Sequence, residues 1–147
     1  MEIQQDFKEL FELLNKHKAE YIIVGGYALA FHGAPRFTGD IDVLIHNTTE
    51  NAERVLRALS DFGFGSLGLV ISDFVATGNV IQLGVPPVRI DILTSLTGVS
   101  WADCENGKVP GTYGSVPVCF LGKEQLVANK RTLGRTQDLA DIEAISK

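Results

Sequence analysis

Two acidic residues lie one residue apart in the segment Gly39–His46, whose sequence is GDIDVLIH. The apolar residues that follow predict a β-strand. Residues two apart on a strand point to the same face, with backbones about 6.5–7 Å apart. Asp40 and Asp42 would therefore repel each other across one face. They require a positive partner between them or exposure to water.

A third carboxylate occupies a comparable position in the apolar segment VRIDIL, where Asp91 shares a strand face with Arg89. Three carboxylates that converge from two adjacent strands are costly to bury without a counter-charge. Two Mg²⁺ ions about 3.5–4 Å apart would balance them and clamp an in-line phosphoryl or nucleotidyl displacement. In the alternative interpretation, Asp40 is a surface turn residue, Asp42 is an edge-strand acid and Asp91 is the partner of Arg89.

The segment VGGYALAFHGAPR precedes the acid pair and predicts a strand that ends in two glycines before a short helix. Backbone N–H groups at a helix start attract phosphate, and the glycines Gly25 and Gly26 would let a phosphate approach closely. The alternative is a tight turn between strand and helix with no ligand.

Apolar spacing outlines the elements that must position these residues. Strands are predicted over residues 21–24, 40–45, 79–83, 88–93 and 116–120. Helices are predicted over residues 4–18, 27–32, from 52 to near 63, 72–75, from 122 and 137–145. Residues 101–110 are predicted as loop and edge, and the last helix is predicted to bury the apolar stripe Leu139, Ile142 and Ile145.

This order of elements predicts one α/β domain over residues 1–147, a mixed sheet flanked by helices on which the C-terminal helices 122–147 pack. The length and a hydrophobic content of 45% suit a single domain with a sizeable core. A net charge of −5 argues against nucleic-acid binding through the overall charge of the protein. It does not exclude an acceptor RNA bound by a local basic patch.

The chain shows no leader-like apolar run at its start and no apolar stretch of about 18 residues, so we expect a cytoplasmic protein without membrane contact. In that compartment Cys104 and Cys119 are expected to be reduced thiols.

The segment GGYALAFHGAPRFTGDIDVLI, Gly25–Ile45, resembles the nucleotidyltransferase signature of the DNA polymerase β superfamily. That signature joins Gly-Gly or Gly-Ser at a helix start to an Asp-x-Asp pair, with a third Asp on a later strand, here Asp91. The variant is similar to AbiEii-type and related bacterial nucleotidyltransferases, as is the C-terminal segment LGKEQLVANKRTLGRTQDLADIEAI. The resemblance implies the polymerase β-like nucleotidyltransferase fold.

The resemblance also implies a Mg²⁺-dependent transfer of NMP from an NTP to a hydroxyl group, with Mn²⁺ as the alternative ion. It implies that Gly25 and Gly26 hold the triphosphate. Asp40 and Asp42 would bind both metal ions. Asp91 would bind the catalytic metal and accept the proton of the acceptor hydroxyl.

Two residues just before the acid pair are further candidates for nucleotide binding. Arg36 would contact phosphate or pair with the carboxylates. Gly26 stands where the wider superfamily has serine, so a hydroxyl contact to phosphate is missing there, and Thr38 would supply one nearby.

A lysine near the end of the chain is the last candidate. Lys130 would reach the triphosphate, or it is a solvated lysine. Asp138 and Asp141 are predicted to be structural, pairing with Lys130 or Arg135.

The acceptor stays open between tRNA, a protein side chain and a small molecule such as an aminoglycoside-like or lincosamide-like antibiotic. The AbiEii resemblance implies a toxin–antitoxin role. A homodimer or a helical partner protein is expected to complete the acceptor pocket. The rival interpretation is a catalytically inactive nucleotide-binding regulatory or interaction subunit, and the presence of all three carboxylates argues against it.

Overall fold

The structure, a computed structural model, describes residues 3–34, 39–85 and 88–146. The helices are α1 Gln5–Lys16, α2 Gly25–Phe31, α3 Thr49–Leu59, α4 Ile71–Val75, α5 Trp101–Gly107, α6 Lys123–Leu133 and α7 Thr136–Ile145. The strands are β1 Tyr21–Val24, β2 Asp40–Ile45, β3 Val80–Leu83, β4 Arg89–Leu93, β5 Val109–Tyr113 and β6 Val116–Phe120. A π-helical turn, Ser60–Phe64, extends α3.

The six strands form one mixed sheet in the order β3-β4-β2-β1-β6-β5. β2 is parallel to β4 and β1 is parallel to β6, whereas the other neighbouring strands are antiparallel. The predicted class, a mixed sheet flanked by helices, is confirmed.

Two apolar cores lie on the two faces of the sheet because neighbouring residues of a strand point to opposite sides. Ile23 and Val43 belong to the core that α1, α3 and α4 cover. Ile22 and Leu44 belong to the second core, which α2, α5, α6 and α7 cover. The second core includes Leu126 of α6 and Ile145 of α7.

The helices on the first face follow the sequence closely. The predicted amphipathic helix is α1, and its buried residues are Phe7, Leu10, Phe11 and Leu14. α3 begins after Thr48, whose hydroxyl accepts a hydrogen bond from the Asn51 backbone N–H at 3.2 Å. Such a cap satisfies one of the N–H groups that a helix start leaves without a partner.

The interpretation of residues 101–110 as loop and edge is wrong over most of its length. Ser100 caps α5 by accepting a hydrogen bond from the Asp103 backbone N–H, and β5 follows directly. Pro110 lies in β5, and β5 is at the edge of the sheet, where a strand tolerates a residue without an N–H.

The predicted apolar stripe of the last helix is confirmed at Ile145 and wrong at Leu139. Leu139 is 53% exposed, whereas Asp138 and Asp141 are buried beside Ile145. α7 turns this acidic face inward because its acids pair with a buried lysine of α6, as described below.

No helix within the described ranges is both long enough and apolar enough to cross a bilayer.

Candidate active site

Three of the predicted acids meet on one face of the sheet. β2 and β4 pair in parallel with Asp42 opposite Asp91, and Asp40 opposite Arg89. β2 lies inside the sheet between β4 and β1, so the alternative of Asp42 as an edge-strand acid is wrong. The two-residue period of both strands directs all four side chains to the same face.

A guanidinium lies among the acids. Arg89 Nη2 lies 2.7 Å from Asp40 Oδ2 and 3.1 Å from Asp91 Oδ2. The sequence suggested the contact to Asp91, but the shorter contact to Asp40 was missed. The sequence shows only that Arg89 and Asp91 lie on the same face of β4. The parallel pairing of β2 with β4 places Asp40 opposite Arg89.

Asp42 carries the electrostatic cost of this arrangement. Burial, together with the charges of Asp91 and Asp40, raises the pKa of the Asp42 carboxyl to about 6, although Arg89 opposes the rise. A hydrogen bond between the Asp42 and Asp91 carboxyls requires a proton on one of them, and this also raises the pKa of Asp42. Among the described residues, Asp91 Oδ1 is buried without a hydrogen-bond partner.

The acids are not gathered around a common point as they stand. Among residues 3–34, 39–85 and 88–146, no three His, Cys, Asp or Glu side chains lie close enough to hold a metal ion. Arg89 is instead the cation that Asp40 and Asp91 contact.

Gly25 brings the backbone of the β1–α2 junction against the acids. It begins α2 directly after β1, whose Val24 pairs with Asp42. An ideal Cβ on Gly25 would lie 2.1 Å from Asp42 Oδ2, and φ is +65°. Only glycine combines that backbone conformation with such a close approach. Gly26 follows as the second residue of α2, so the helix begins two residues before the predicted start.

A cavity of about 360 Å³ opens beside the acids. Gly25, Asp42, Asp91 and Lys130 all line it, so four of the predicted site residues share one space. This volume is within the range of small-molecule sites. Its wall also includes Val24, Gly78, Asn79, Val80, Leu93, Ser95, Leu96, Thr97, Asn129, Leu133 and Arg135.

Lys130 is buried, with 6% of its surface exposed, so the alternative of a solvated lysine is wrong. Its Nζ lies 3.1 Å from Asp141 Oδ2 and 3.5 Å from Asp138 Oδ1. Arg135 Nε donates to Asp138 Oδ2 at 2.6 Å and is the main cause that lowers the pKa of Asp138 to about 2. The predicted structural pairing of these two acids is confirmed.

Some cavity residues carried no signal in the sequence. Asn129 is buried, and its side-chain N–H group donates to the Thr97 carbonyl at 2.9 Å, tying α6 to the segment after β4. No local sequence pattern distinguishes Asn129, because only the packing of α6 places this residue in the cavity wall. Arg36 and Thr38, predicted to contact phosphate, lie outside the described residues.

The family profile described as nucleotidyl transferase AbiEii toxin, type IV TA system, matches residues 10–100, more than half of the chain. The chain belongs to the AbiEii nucleotidyltransferase family. The match contains both glycines of the β1–α2 junction and all three acids. This AbiEii family member is accordingly a transferase.

The fold of this AbiEii chain is similar to the crystal structure of a candidate nucleotidyltransferase from Thermotoga maritima. The TM-score is 0.64 at 17% identity, over 93% of this chain and 88% of that one. At this identity the likeness shows the fold alone. A search of the curated proteins found no match.

Proposed function

We propose that this AbiEii family chain transfers a nucleotidyl group from an NTP to a hydroxyl group with the help of divalent cations. The observation that carries the proposal is the alignment of Asp40, Asp42 and Asp91 on one face of two parallel strands, with Asp42 and Asp91 lining the cavity. Family membership adds the reaction class.

The acids suit divalent cations by their chemistry. Carboxylate oxygens are the ligands that Mg²⁺ prefers, and Mn²⁺ accepts the same set. Asp91 Oδ1, buried without a hydrogen-bond partner among the described residues, is an oxygen for which a cation would provide compensation. Bound there, Mg²⁺ or Mn²⁺ would stabilise charge on the phosphates and favour deprotonation of the acceptor hydroxyl.

The residues around the acids would bind and orient the nucleotide. The absence of a side chain on Gly25 lets its backbone lie against Asp42. We assign the triphosphate to the β1–α2 junction at Gly25 and Gly26, as the resemblance implies. Arg36 and Thr38, which follow in the chain, remain proposed phosphate contacts.

Lys130 remains a proposed triphosphate ligand, but as a buried lysine that is paired with two acids. Its ammonium group lines the cavity but is held by Asp138 and Asp141. It would therefore meet phosphate as a fixed charge, and little side-chain entropy would be lost on binding.

In the proposed reaction, the acceptor oxygen forms a bond to the α-phosphorus and the bond to pyrophosphate breaks. Asp91 accepts the proton of the acceptor hydroxyl, and pyrophosphate leaves. The acceptor is a tRNA, a protein side chain or a small molecule. The family description suggests that the chain acts as a toxin with an antitoxin partner, and a homodimer or a helical partner would complete the acceptor pocket.

Calorimetric titration with each of the four NTPs in the presence of Mg²⁺ tests the donor and the metal together. We expect one NTP to bind the wild type in a Mg²⁺-dependent manner and Asp40→Asn/Asp42→Asn to lose that binding. Glu143→Gln, an exposed acid on α7, is the matched control and should bind as the wild type does.

The preferred NTP, labelled at the α-phosphate, is then incubated with the wild type and with total RNA, protein extract or small hydroxyl compounds. Label that moves to one acceptor class, and does not move with Asp42→Asn, supports the transfer. Equal label transfer by the wild type and Asp42→Asn would contradict the proposed reaction. Equal Mg²⁺-dependent NTP binding by the wild type and Asp40→Asn/Asp42→Asn would also contradict it.

A further inference from the structure

The guanidinium among the acids uses one of its nitrogens for both contacts. Arg89 Nη2 lies within 3.1 Å of oxygens from both Asp40 and Asp91. A guanidinium that recognises a single carboxylate commonly uses two parallel N–H groups on its two oxygens. Here one nitrogen bridges two acids from different strands, which is the position expected of a small cation.

This bridge leaves polar groups unsatisfied on both sides. Arg89 Nε and Asp91 Oδ1 are buried, and neither has a hydrogen-bond partner within the described part of the chain. Among the described residues, Arg89 is the cation that contacts both Asp40 and Asp91, so one positive charge serves two carboxylates. The arrangement therefore compensates the acids only in part.

The two cations that line the cavity among the described residues, Lys130 and Arg135, have different partners. Lys130 contacts Asp138 and Asp141, and Arg135 contacts Asp138. Those two positive charges are balanced by the two buried acids of α7, so they add little attraction for the carboxylates on β2 and β4.

We propose that Arg89 is an internal counter-cation, which holds Asp40 and Asp91 together until a divalent cation displaces its Nη2. Arg89 is thus a positioning residue that competes with the metal, and this inference rests on the metal site of the proposed function. The two cations compete because a metal would be held by the carboxylates of Asp40 and Asp91, whose Oδ2 atoms Arg89 already contacts. The affinity for the metal is then reduced by the free energy of the arginine contacts.

Removal of the guanidinium should lower the stability of the metal-free protein and raise its affinity for the metal. Free Mn²⁺ is counted by electron paramagnetic resonance during titration of the wild type, Arg89→Gln and Arg89→Lys, and unfolding is followed in buffer with EDTA. We expect Arg89→Gln to bind Mn²⁺ on the order of tenfold more tightly and to unfold at lower denaturant concentration than the wild type. Arg89→Lys should stay near the wild type because one ammonium replaces one bridging nitrogen.

Arg57→Gln is the matched control, since it removes the same charge from an exposed position on α3, where Arg57 Nη2 lies 3.9 Å from Glu53. It should leave Mn²⁺ affinity unchanged. Equal or weaker Mn²⁺ binding by Arg89→Gln would overturn the proposal, because an arginine that only supports the site would lower affinity when removed.

If Arg89→Gln does not fold, the wild type answers the question by itself. The ¹⁵N resonance of the Arg89 guanidinium, assigned by its loss in Arg89→Lys, is followed during titration with diamagnetic Mg²⁺. A shift that saturates with the metal supports displacement, and an unchanged resonance at saturation overturns it. Wild type that binds Mn²⁺ while Arg89→Gln gains nothing overturns the arginine proposal alone, whereas no Mn²⁺ binding by any variant overturns the metal site as well.

Discussion

Gly25 has two separate reasons to be glycine. Its φ of +65° strains any residue with a side chain, and a Cβ would meet Asp42 Oδ2 at 2.1 Å. Gly33, just past the end of the same helix, shares only the first reason, since φ is +98° and nothing lies within 4 Å of its ideal Cβ. A comparison of substitutions at Gly25 and Gly33 therefore separates the effect of backbone strain from the effect of contact with Asp42.

We expect Gly25→Ala and Gly33→Ala both to lose about 1–2 kcal/mol of unfolding free energy from backbone strain. Gly25→Ala should lose about 1–3 kcal/mol more from overpacking, because Asp42 must move. It should also lose Mg²⁺-dependent NTP binding, which Gly33→Ala should keep. Denaturant unfolding and calorimetry measure both effects, and equal losses in the two variants would refute the role of the Asp42 contact.

The raised pKa of Asp42, about 6, makes its ionisation unfavourable in the folded chain. Between the ordinary pKa near 4 and about 6, the folded state binds the proton that the unfolded state has released. The contribution of Asp42 to stability therefore falls as pH rises through this window and stays low above it.

In buffer with EDTA, Asp42→Asn should be more stable than the wild type at pH 7.5, by on the order of 2 kcal/mol. The gain should shrink as the pH falls from 6 towards 4, where the wild-type carboxyl is protonated. Denaturant unfolding at several pH values measures it, with Glu143→Gln as the control. A gain independent of pH would show that ionisation of Asp42 is not its cause.

At the scale of elements, a buried charge cluster joins α6 and α7. Lys130 contacts Asp138 and Asp141 in a buried cluster, while Leu139 faces outward. Helical spacing places both the acids and the apolar residues of α7 in stripes, and an apolar stripe is the one that usually faces inward. The buried ammonium reverses that choice, because a charge removed from water requires opposite charges nearby.

Lys130→Met should lower the free energy of unfolding by about 3–5 kcal/mol, because it leaves two buried acids with less positive charge. Arg131→Met, at the neighbouring exposed position of α6, should change it by less than about 0.5 kcal/mol. Adding Asp141→Asn to Lys130→Met should restore part of the loss. Chemical denaturation measures all three, and a similar cost for both methionine variants would contradict the cluster's role.

At the scale of the whole molecule, one sheet separates two cores that carry different chromophores. All three tyrosines, Tyr21, Tyr27 and Tyr113, belong to the first core, and the single tryptophan, Trp101, packs against the second. The strands contribute residues to both cores, so neither core can persist when the sheet is lost.

We expect the chain to unfold as one cooperative unit, in keeping with the single domain predicted from its sequence. Tyrosine near-ultraviolet circular dichroism and selectively excited Trp101 fluorescence should show the same midpoint in denaturant. Far-ultraviolet circular dichroism provides the control for secondary structure. An earlier transition of Trp101 would show that the second core, with α6 and α7, unfolds separately.

The sequence by itself determined the features that depend on local periodicity. The two-residue alternation put Asp40 and Asp42 on one face of β2, and it put Arg89 and Asp91 on one face of β4. The glycines after β1 marked the start of α2. Each of these follows from the backbone geometry of one segment, which its own residues specify.

Only the tertiary structure decided which segments meet. The parallel register sets Arg89 beside Asp40, the β1–α2 junction sets Gly25 against Asp42, and α6 presents Lys130 to the acids of α7. Strand order, register and the inward face of a helix are set by the burial and charge pairing of residues far apart in the chain. A local pattern has the same appearance whichever partner it meets. The sequence therefore did not predict the contact of Arg89 with Asp40 or of Gly25 with Asp42, and it offered Lys130 only as one of two partners for the acids of α7.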